Sequence, residues 1–319
     1  MAEEGKEPQG WPTEDWFIDL TNRFDLTGFH RDRVVLTGRT GLQAFEIFEN
    51  RLWGRMLILD GRLKSAELDE FIYHEALVQP AMLAHPNPRL VLVLGGGEGE
   101  GAALREVLRH PGVTQALMVA SDAELVGLCK EWLPSFPAGA FDDPRTELVF
   151  ADGRGWLATQ PDGSLDVIIL DLPDLEGGPA LNLCTREMFE LARGKLVPDG
   201  VLAVQSGSAG LQGHLMADLN ATLRAVFPRV VAYTAFVPSF KDLYGFHVAG
   251  NPELAWPGLG TASTRLEERG LTSLKWLGAE HFASLPVLPK FLEARLRREG
   301  KVLTDARPFG PRPGESIFY

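Results

Sequence analysis

Cysteine is scarce in this chain. Its 319 residues include two cysteines, Cys129 and Cys184, and neither belongs to a metal-ligand spacing. We therefore expect buried thiols in a reducing compartment rather than a cysteine-based metal site.

Targeting signals and positive charge are also lacking. The sequence has neither a signal-peptide pattern nor an apolar run of membrane-spanning length, so we expect a cytoplasmic protein. Lys and Arg number 31 against 43 Asp and Glu, a formal net charge of −12. This balance disfavours nucleic acid and anionic membranes as partners and favours cationic ligands.

The most informative stretch runs from residue 89 to residue 108. Five consecutive apolar residues precede a glycine-rich loop that contains Glu98 and Glu100, and an amphipathic run at helical spacing follows. This pattern predicts a buried strand, a tight loop and a helix, the first βα unit of a doubly wound sheet. Ligands of such sheets bind beyond the carboxyl ends of the strands.

The glycine loop allows more than one ligand class. Gly97, Gly99 and Ala102 fit the loose dinucleotide-binding pattern. Glu98 and Glu100 oppose this interpretation, because two carboxylates would lie where a pyrophosphate must bind. A cationic ligand such as an amine or a sulfonium suits them better, and a nucleotide-binding fold of unknown use stays open.

The order of the predicted elements defines the fold class. Short strands with an Asp60-Gly61 hairpin turn come first, helices and strands then alternate up to residue 204, and an antiparallel pair follows at 229–237 and 244–249. We predict a Rossmann-like α/β fold with a seven-stranded methyltransferase-type sheet. An N-terminal β-strand domain would cover residues 1–68 and a catalytic domain residues 69–319. We expect a frayed end over residues 1 to 15 and a peripheral extension after residue 258.

Several segments together resemble spermidine synthases. They are, in chain order, Leu59-Asp60-Gly61, Asp69-Glu70-Phe71-Ile72-Tyr73-His74-Glu75, Ala84-His85-Pro86-Asn87-Pro88, Gly95-Gly96-Gly97-Glu98-Gly99, Leu104-Arg105-Glu106-Val107-Leu108-Arg109-His110-Pro111, Phe141-Asp142-Asp143-Pro144-Arg145 and Asp152-Gly153. Their order and spacing match over roughly residues 40 to 210, apart from a two-residue expansion of the glycine loop.

This resemblance implies an activity. Members of the family are polyamine aminopropyltransferases, transferases of polyamine biosynthesis. They move an aminopropyl group from decarboxylated S-adenosylmethionine to a primary amine such as putrescine or agmatine and release methylthioadenosine. The donor is a co-substrate, so the resemblance implies neither a prosthetic group nor a metal. Family members commonly pair, so we expect a homodimer or homotetramer.

The resemblance also implies roles for individual residues. Asp171, Asp174 and Tyr73 would be catalytic, with Asp171 nearest the reacting nitrogen. The residues implied in donor binding, with Glu98 on the ammonium end of the donor, are Gln43, His74, Gly95, Gly97, Glu98, Asp122, Asp152 and Gly153. The remaining substrate-binding positions are Lys64, Gln205 and Tyr244.

The reaction asks for such residues independently of the family. A sulfonium makes the adjacent carbon electrophilic, so the donor needs orientation rather than a metal. The acceptor is harder to activate, because an alkylamine with a pKa of about 10.4 is almost fully protonated at pH 7. Two carboxylates beyond a buried strand, Asp171 and Asp174, can hold the ammonium, accept its proton and aim the nitrogen.

Four departures from the family pattern stand out. Ala120 replaces an acid that binds both ribose hydroxyls, a role that Asp122 or Ser121 could partly take over. Lys64 stands where the family usually has Gln. Leu175 ends the loop Asp171-Leu172-Pro173-Asp174-Leu175 where Pro is usual, and Gly207 replaces an acid that often follows Gln205 by two residues.

These departures leave two other functions open. Lys64 could pair with the carboxylate of intact S-adenosylmethionine, which would then donate a methyl or a 3-amino-3-carboxypropyl group. Alternatively, the chain is a non-catalytic homologue that binds a polyamine or a nucleoside. A purely structural role also stays open for each residue: an Asp after a parallel strand often caps a helix, and Tyr73, His74 and Tyr244 could be core residues.

Overall fold

The computed structural model describes residues 15–22, 25–95, 99–172, 179–210, 213–251, 256–298 and 300–310. The chain divides into two compact units, Met1–Asp69 and Glu70–Tyr319. The frayed end expected over residues 1 to 15 lies outside the described residues except for Asp15. Within the described ranges, every helix is too short or too polar to cross a bilayer.

The first unit is built from antiparallel strands. A hairpin of β1 (Trp16–Asn22) and β2 (Asp25–His30) accompanies a four-stranded sheet in sequence order. The strands of that sheet are β3 (Arg33–Arg39), β4 (Ala44–Asn50), β5 (Gly54–Leu59) and β6 (Arg62–Ala66). Asp60 and Gly61 both have positive φ, 46° and 77°, as a two-residue turn between twisted strands requires.

The β1–β2 hairpin was not expected from the sequence. Its inward face carries Asp19, which breaks the apolar alternation. That carboxylate is buried because it accepts a 2.9 Å hydrogen bond from the Leu63 amide and pairs with Arg62 at 3.0 Å. The rings of Phe17 and Phe48 lie 5.9 Å apart, so the hairpin packs on β4 through aromatic contact.

The second unit contains a seven-stranded sheet. Its strands are β7 (Leu90–Gly95), β8 (Gln115–Ala120), β9 (Thr146–Phe150), β10 (Leu165–Asp171), β11 (Leu196–Ser208), β12 (Arg229–Val237) and β13 (Asp242–Gly250). Among the described residues the order is β12-β13-β11-β10-β7-β8-β9. Strand β13 is antiparallel to β11 and β12, and the other pairs are parallel. The predicted Rossmann-like sheet is confirmed.

Helices cover both faces of this sheet. They are α1 (Glu70–Ala84), α2 (Ala102–Leu108), α3 (Ala123–Trp132), α4 (Gly153–Thr159), α5 (Arg186–Lys195), α6 (Gly213–Val226), α7 (Leu259–Glu268), α8 (Ala279–Ser284) and α9 (Lys290–Arg298). One core layer joins α1, α2, α7 and α8 to the sheet, and the other joins α4, α5 and α6. Helix α1 is buried from Tyr73 to Ala84, so it has no solvent face.

The C-terminal segment is not a peripheral extension. Arg265 and Arg269 donate to backbone carbonyls of the last turn of α1 and the residues after it. The buried Glu75 carboxylate, near the other end of α1, accepts hydrogen bonds from the amides of residues 275, 276 and 277 at 2.8 to 3.1 Å. Leu303 is buried in the core layer of α5 and α6. The expectation was wrong because the segment is joined to α1 by hydrogen bonds of arginine side chains and backbone amides. A pattern of apolar residues does not reveal such contacts.

One buried histidine in the sheet has ring nitrogens without hydrogen-bond partners among the described residues. His247 lies in β13, fully buried, and neither ring nitrogen has a hydrogen-bond partner among the described residues. Burial and the charge of Arg224 lower the pKa of His247 to about 3. The imidazole is therefore neutral when folded and carries a desolvation cost.

We expect His247→Leu to stabilise the protein by about 1–2 kcal/mol at pH 7, because this cost disappears. The difference should grow by about 2 kcal/mol between pH 7 and pH 5. In that range the unfolded wild-type histidine, with an ordinary pKa of about 6.5, takes up a proton that the folded histidine does not. The stability of the wild type therefore decreases as the pH is lowered. Urea unfolding at several pH values measures both effects.

The surface variant His30→Gln serves as the control, since His30 is half exposed. A leucine variant less stable than wild type, with an unchanged pH dependence, would contradict this account of His247.

Candidate active site

The carboxyl ends of four parallel strands meet at one edge of the sheet. In register, Asp171 at the end of β10 pairs with Gly95 of β7, Gly95 with Ala120 of β8, and Ala120 with Phe150 of β9. This edge is where a doubly wound sheet binds its ligand.

Helix α1 brings two polar side chains to this edge. The Tyr73 hydroxyl donates a 3.0 Å hydrogen bond to Asp171 Oδ1. His74, the next residue, lies one turn after Glu70, so that its Nδ1 contacts the Glu70 carboxylate at 2.8 Å. Tyr73, His74 and Asp171 are all buried, which joins β10 to α1 through polar contacts in the protein interior.

His74 is held between two carboxylates. Its Nε2 lies 3.1 Å from Glu100 Oε1, on the opposite side of the ring from Glu70. Burial lowers the pKa of His74, but the effect of Glu100 and Glu70 is larger and opposite. The pKa of His74 therefore lies well above its ordinary value. This shift favours the charged imidazolium form of the buried ring at neutral pH. The other oxygen of Glu100, Oε2, has no hydrogen-bond partner within the described part of the chain.

Arginine compensates the Glu70 side of this cluster. The Arg105 guanidinium, on α2, donates to both oxygens of Glu70 at 2.9 Å. Burial raises the pKa of Glu70, yet His74 and Arg105 together lower it to about 2. Glu70 therefore stays ionised, and its bidentate pair fixes α2 against α1.

The pKa of Asp171 is shifted in the opposite direction from that of Glu70. Burial and the charge of Glu100 raise the pKa of Asp171, His74 and Tyr73 lower it, and the net result is a pKa of about 6. A carboxylate with such a pKa can gain or lose a proton near neutral pH, which is the property of a general base.

From the sequence, Glu100 was noted with Glu98 as an acid that suits a cationic ligand, but no individual role was predicted for it. Glu98 was expected on the donor ammonium, and it lies outside the described residues, as do Gly97, Asp174 and Leu175. A signal for Glu100 does exist, since it precedes α2 by two residues and α2 packs against α1. Because Glu100 lies two residues before α2, the packing of α2 against α1 brings it close to the first turns of α1.

The predicted donor residues lie along the strand ends. Asp122 and Asp152 each cap the following helix, accepting from the amides of Leu125 at 3.0 Å and Gly155 at 2.7 Å. Asp122 is buried and Asp152 is exposed. Both aspartates therefore have the helix-capping role that the sequence analysis left open. In each case the capping hydrogen bond uses one carboxylate oxygen.

Two small residues leave room at the same edge. A Cβ at Gly153 would lie 2.7 Å from a methyl of Leu94, so glycine permits the close approach of α4 to β7. Ala120 is buried, and its side chain carries no polar atom at the end of β8.

The predicted acceptor residues come from β11 and β13. The buried Gln205 amide donates to the Leu172 carbonyl at 3.0 Å, while its oxygen accepts from the Gly207 amide at 2.5 Å. The Tyr244 ring lies 6.0 Å from the Tyr73 ring. Phe240 contacts both rings, at 4.9 and 6.2 Å, so an aromatic group surrounds Tyr73.

Gln43 and Lys64 belong to the N-terminal unit. Gln43 lies just before β4 rather than within a strand, and Lys64 lies in β6. Both are partly buried. As for metals, the described residues contain no group of three His, Cys, Asp or Glu side chains that could hold an ion.

We expect Glu100→Gln to lower the pKa of His74 by at least about one unit, because it removes one of the two anionic charges beside the ring. NMR titration of the labelled histidine ring measures this pKa. Glu124→Gln, on the exposed start of α3, is the matched control and should leave it unchanged. An unaltered His74 pKa in the Glu100 variant would refute the contact.

The proteins to which this chain is similar belong to one family. Residues 70–254 match the spermine/spermidine synthase domain, and residues 16–67 match the spermidine synthase tetramerisation domain. Polyamine aminopropyltransferase 2 of Pseudomonas aeruginosa is 42% identical over 93% of this chain and 85% of its own length. Thermospermine synthase ACAULIS5 of Arabidopsis thaliana is 36% identical over 91% of this chain and 85% of its own length.

A solved structure is similar over nearly its whole length. Spermidine synthase in complex with the transition state analogue AdoDATO superposes with a TM-score of 0.82 and 27% identity, covering 93% of this chain and 98% of that one. The earlier expectation from seven short segments is confirmed, and the chain belongs to the spermine/spermidine synthase family.

Proposed function

We propose that this protein is a polyamine aminopropyltransferase that uses decarboxylated S-adenosylmethionine as co-substrate. The single observation that carries the proposal is the buried Asp171, hydrogen-bonded to Tyr73 at 3.0 Å, with a pKa raised to about 6. Such a group serves a reaction in which an ammonium must be bound and then deprotonated.

In this proposal the acceptor binds to Asp171 as an ammonium. Asp171 takes one proton and thereby frees the nitrogen lone pair. The nitrogen attacks the donor carbon next to the sulfonium, an N–C bond forms, the C–S bond breaks, and methylthioadenosine leaves as a neutral thioether. Tyr73 orients the carboxylate through its hydrogen bond. Asp174 is a second proposed contact for the acceptor amine.

The charge cluster on α1 serves the donor side of the proposal. His74 neutralises part of the charge of Glu100 and Glu70, and Glu100 Oε2, which has no hydrogen-bond partner among the described residues, is available to a donor ammonium. Glu98, Asp122, Asp152, Gly153, Gly95 and Gly97, together with Gln43 and Lys64, stay sequence-based predictions for substrate binding, as Gln205 and Tyr244 do for the acceptor.

The match of residues 16–67 to a tetramerisation domain supports an oligomer, and we propose a homotetramer over a homodimer. A cytoplasmic location stays a sequence-based prediction.

We expect Asp171→Asn to lower kcat by about 10²- to 10⁴-fold while leaving methylthioadenosine affinity within about twofold, because the acid acts on the acceptor. In the wild type, turnover should fall as the pH drops through about 6, since protonated Asp171 cannot accept a proton. A mass-spectrometric assay of product against pH measures both.

Asp162→Asn is the control, because Asp162 is exposed and pairs with Lys195. Loss of nucleoside binding in the Asp171 variant would show that its assigned role is wrong.

Ala120 provides a test of the donor. Placing a carboxylate at the end of β8 with Ala120→Glu should tighten methylthioadenosine binding roughly tenfold, because a carboxylate can accept both ribose hydroxyls. Ala120→Gln, similar in size but uncharged, should give a smaller gain. Calorimetric titration of the nucleoside measures both affinities.

The same wild-type assay, run with intact S-adenosylmethionine, separates the alternatives. Product from the intact donor alone would replace the proposal, and absence of product with either donor would favour a binding protein.

A further inference from the structure

A second layer of buried polar residues lies behind the charge cluster of Glu70, His74 and Glu100. It contains Gln79 of α1 and Glu106 of α2, and both side chains are inaccessible to solvent. Buried polar groups need hydrogen-bond partners, and the partners of these two residues lead back to the charge cluster.

Arg105 connects the second layer to the charge cluster. Its Nε donates to Glu106 Oε1 at 2.9 Å, while Nη1 and Nη2 donate to the two oxygens of Glu70, also at 2.9 Å. Nη1 donates in addition to the Phe136 carbonyl at 2.7 Å. A planar guanidinium with acceptors on both of its edges has a fixed orientation, so Glu106 helps to determine how Arg105 meets Glu70.

Gln79 fixes the other oxygen of Glu106. Its amide nitrogen donates to Glu106 Oε2 at 2.9 Å and to the carbonyl of the same residue at 3.1 Å. The amide oxygen is therefore an acceptor, and His110 Nε2 donates to it at 2.8 Å. Burial and the charges of Arg269 and Arg109 lower the pKa of His110 to about 3, so the ring is neutral and its proton lies on Nε2. Gln79 and the carboxylate that it binds thus have one orientation.

These contacts form a chain of groups whose charges alternate in sign. Its members, in order of contact, are Glu106, Arg105, Glu70, His74 and Glu100. Among the described residues, three carboxylates here alternate with two cations, which leaves one negative charge in the interior. Arg109 lies 3.4 Å from Glu106 but is 31% exposed, so water screens its charge. An ammonium at Glu100 Oε2, the far end of the chain, would balance it.

The chain also determines where that oxygen lies. Glu70 Oε2 accepts from Arg105 Nη2 at 2.9 Å and contacts His74 Nδ1 at 2.8 Å. The other ring nitrogen of His74 lies 3.1 Å from Glu100 Oε1. Without the Glu106 carboxylate, Arg105 loses the contact that fixes its plane, and Glu70 and the His74 ring lose their fixed positions with it. Small displacements of this kind have large effects on the binding of a charged group.

We infer that Glu106, oriented by Gln79, is a positioning residue for the donor: through Arg105 it aligns the charge cluster and thereby makes the site prefer nucleosides that carry an aminopropyl ammonium group. The inference rests on the donor contact of Glu100 in the proposed function.

The test compares two nucleosides that undergo no transfer. Decarboxylated S-adenosylhomocysteine carries the aminopropyl chain on a neutral sulfur, and methylthioadenosine has a methyl group in its place. Calorimetric titration of both gives the factor by which the ammonium chain improves affinity. We expect Glu106→Gln to lower this factor at least fivefold and to leave the affinity for methylthioadenosine within twofold, because methylthioadenosine has no ammonium group.

Arg105→Lys separates position from charge. Lysine keeps the positive charge, but its single ammonium cannot present the two edges of a guanidinium to Glu106 and Glu70. We expect the same selective loss as in Glu106→Gln. Glu190→Gln removes an exposed carboxylate that pairs with an arginine on α5, and as the matched control it should change neither affinity.

The inference is overturned if the wild type has no preference for the ammonium chain, or if Glu106→Gln leaves that preference unchanged or weakens both nucleosides equally. Retention of the full preference in Arg105→Lys would also overturn it. Turnover tests the proposed function separately. A selective loss of the ammonium preference supports the inference even if no donor gives product. Product formation with an unchanged preference in both variants refutes the inference and leaves the proposed function intact.

Discussion

The burial of polar side chains in the first turns of α1 is the constraint on which the second unit depends. Helix α1 has no solvent face over most of its length, and its first turns nevertheless carry Glu70, Tyr73, His74 and Glu75. Each of these groups would cost several kcal/mol if buried without a partner. The partners come from α2, from the loop before α2, from β10 and from the C-terminal segment. Satisfying one helix thus fixes the positions of four separate parts of the chain.

The fold could be predicted from the sequence where apolar patterning and turn chemistry agree. The apolar runs of β7, β8 and β10 and the Asp60-Gly61 turn appear where they were expected. Strand β11 extends beyond its predicted end because Gln205 and Ser206 are buried polar residues that an apolar run does not reveal. The β1–β2 hairpin was missed for the same reason, since the ion pair that allows Asp19 to be buried comes from β6.

Three members of the buried cluster were named from the sequence, but the contacts that couple them to other charges were not. Tyr73, His74 and Asp171 were named from the sequence, and the structure brings them together. Their protonation states depend on Glu100 and Arg105, whose distances from His74 and Glu70 follow from helix packing rather than from spacing along the chain. Charge balance in a buried site is a property of the packed structure, so sequence motifs indicate the members of the cluster and leave their coupling open.

The reacting end of the site is under a strict electrostatic constraint. Buried charges in contact determine one another, because removing one leaves its partner uncompensated in a medium where charge is costly. Glu70, His74, Glu100 and Arg105 therefore act as one electrostatic unit beside Asp171, and a change in one of them alters the proton affinity of its neighbours.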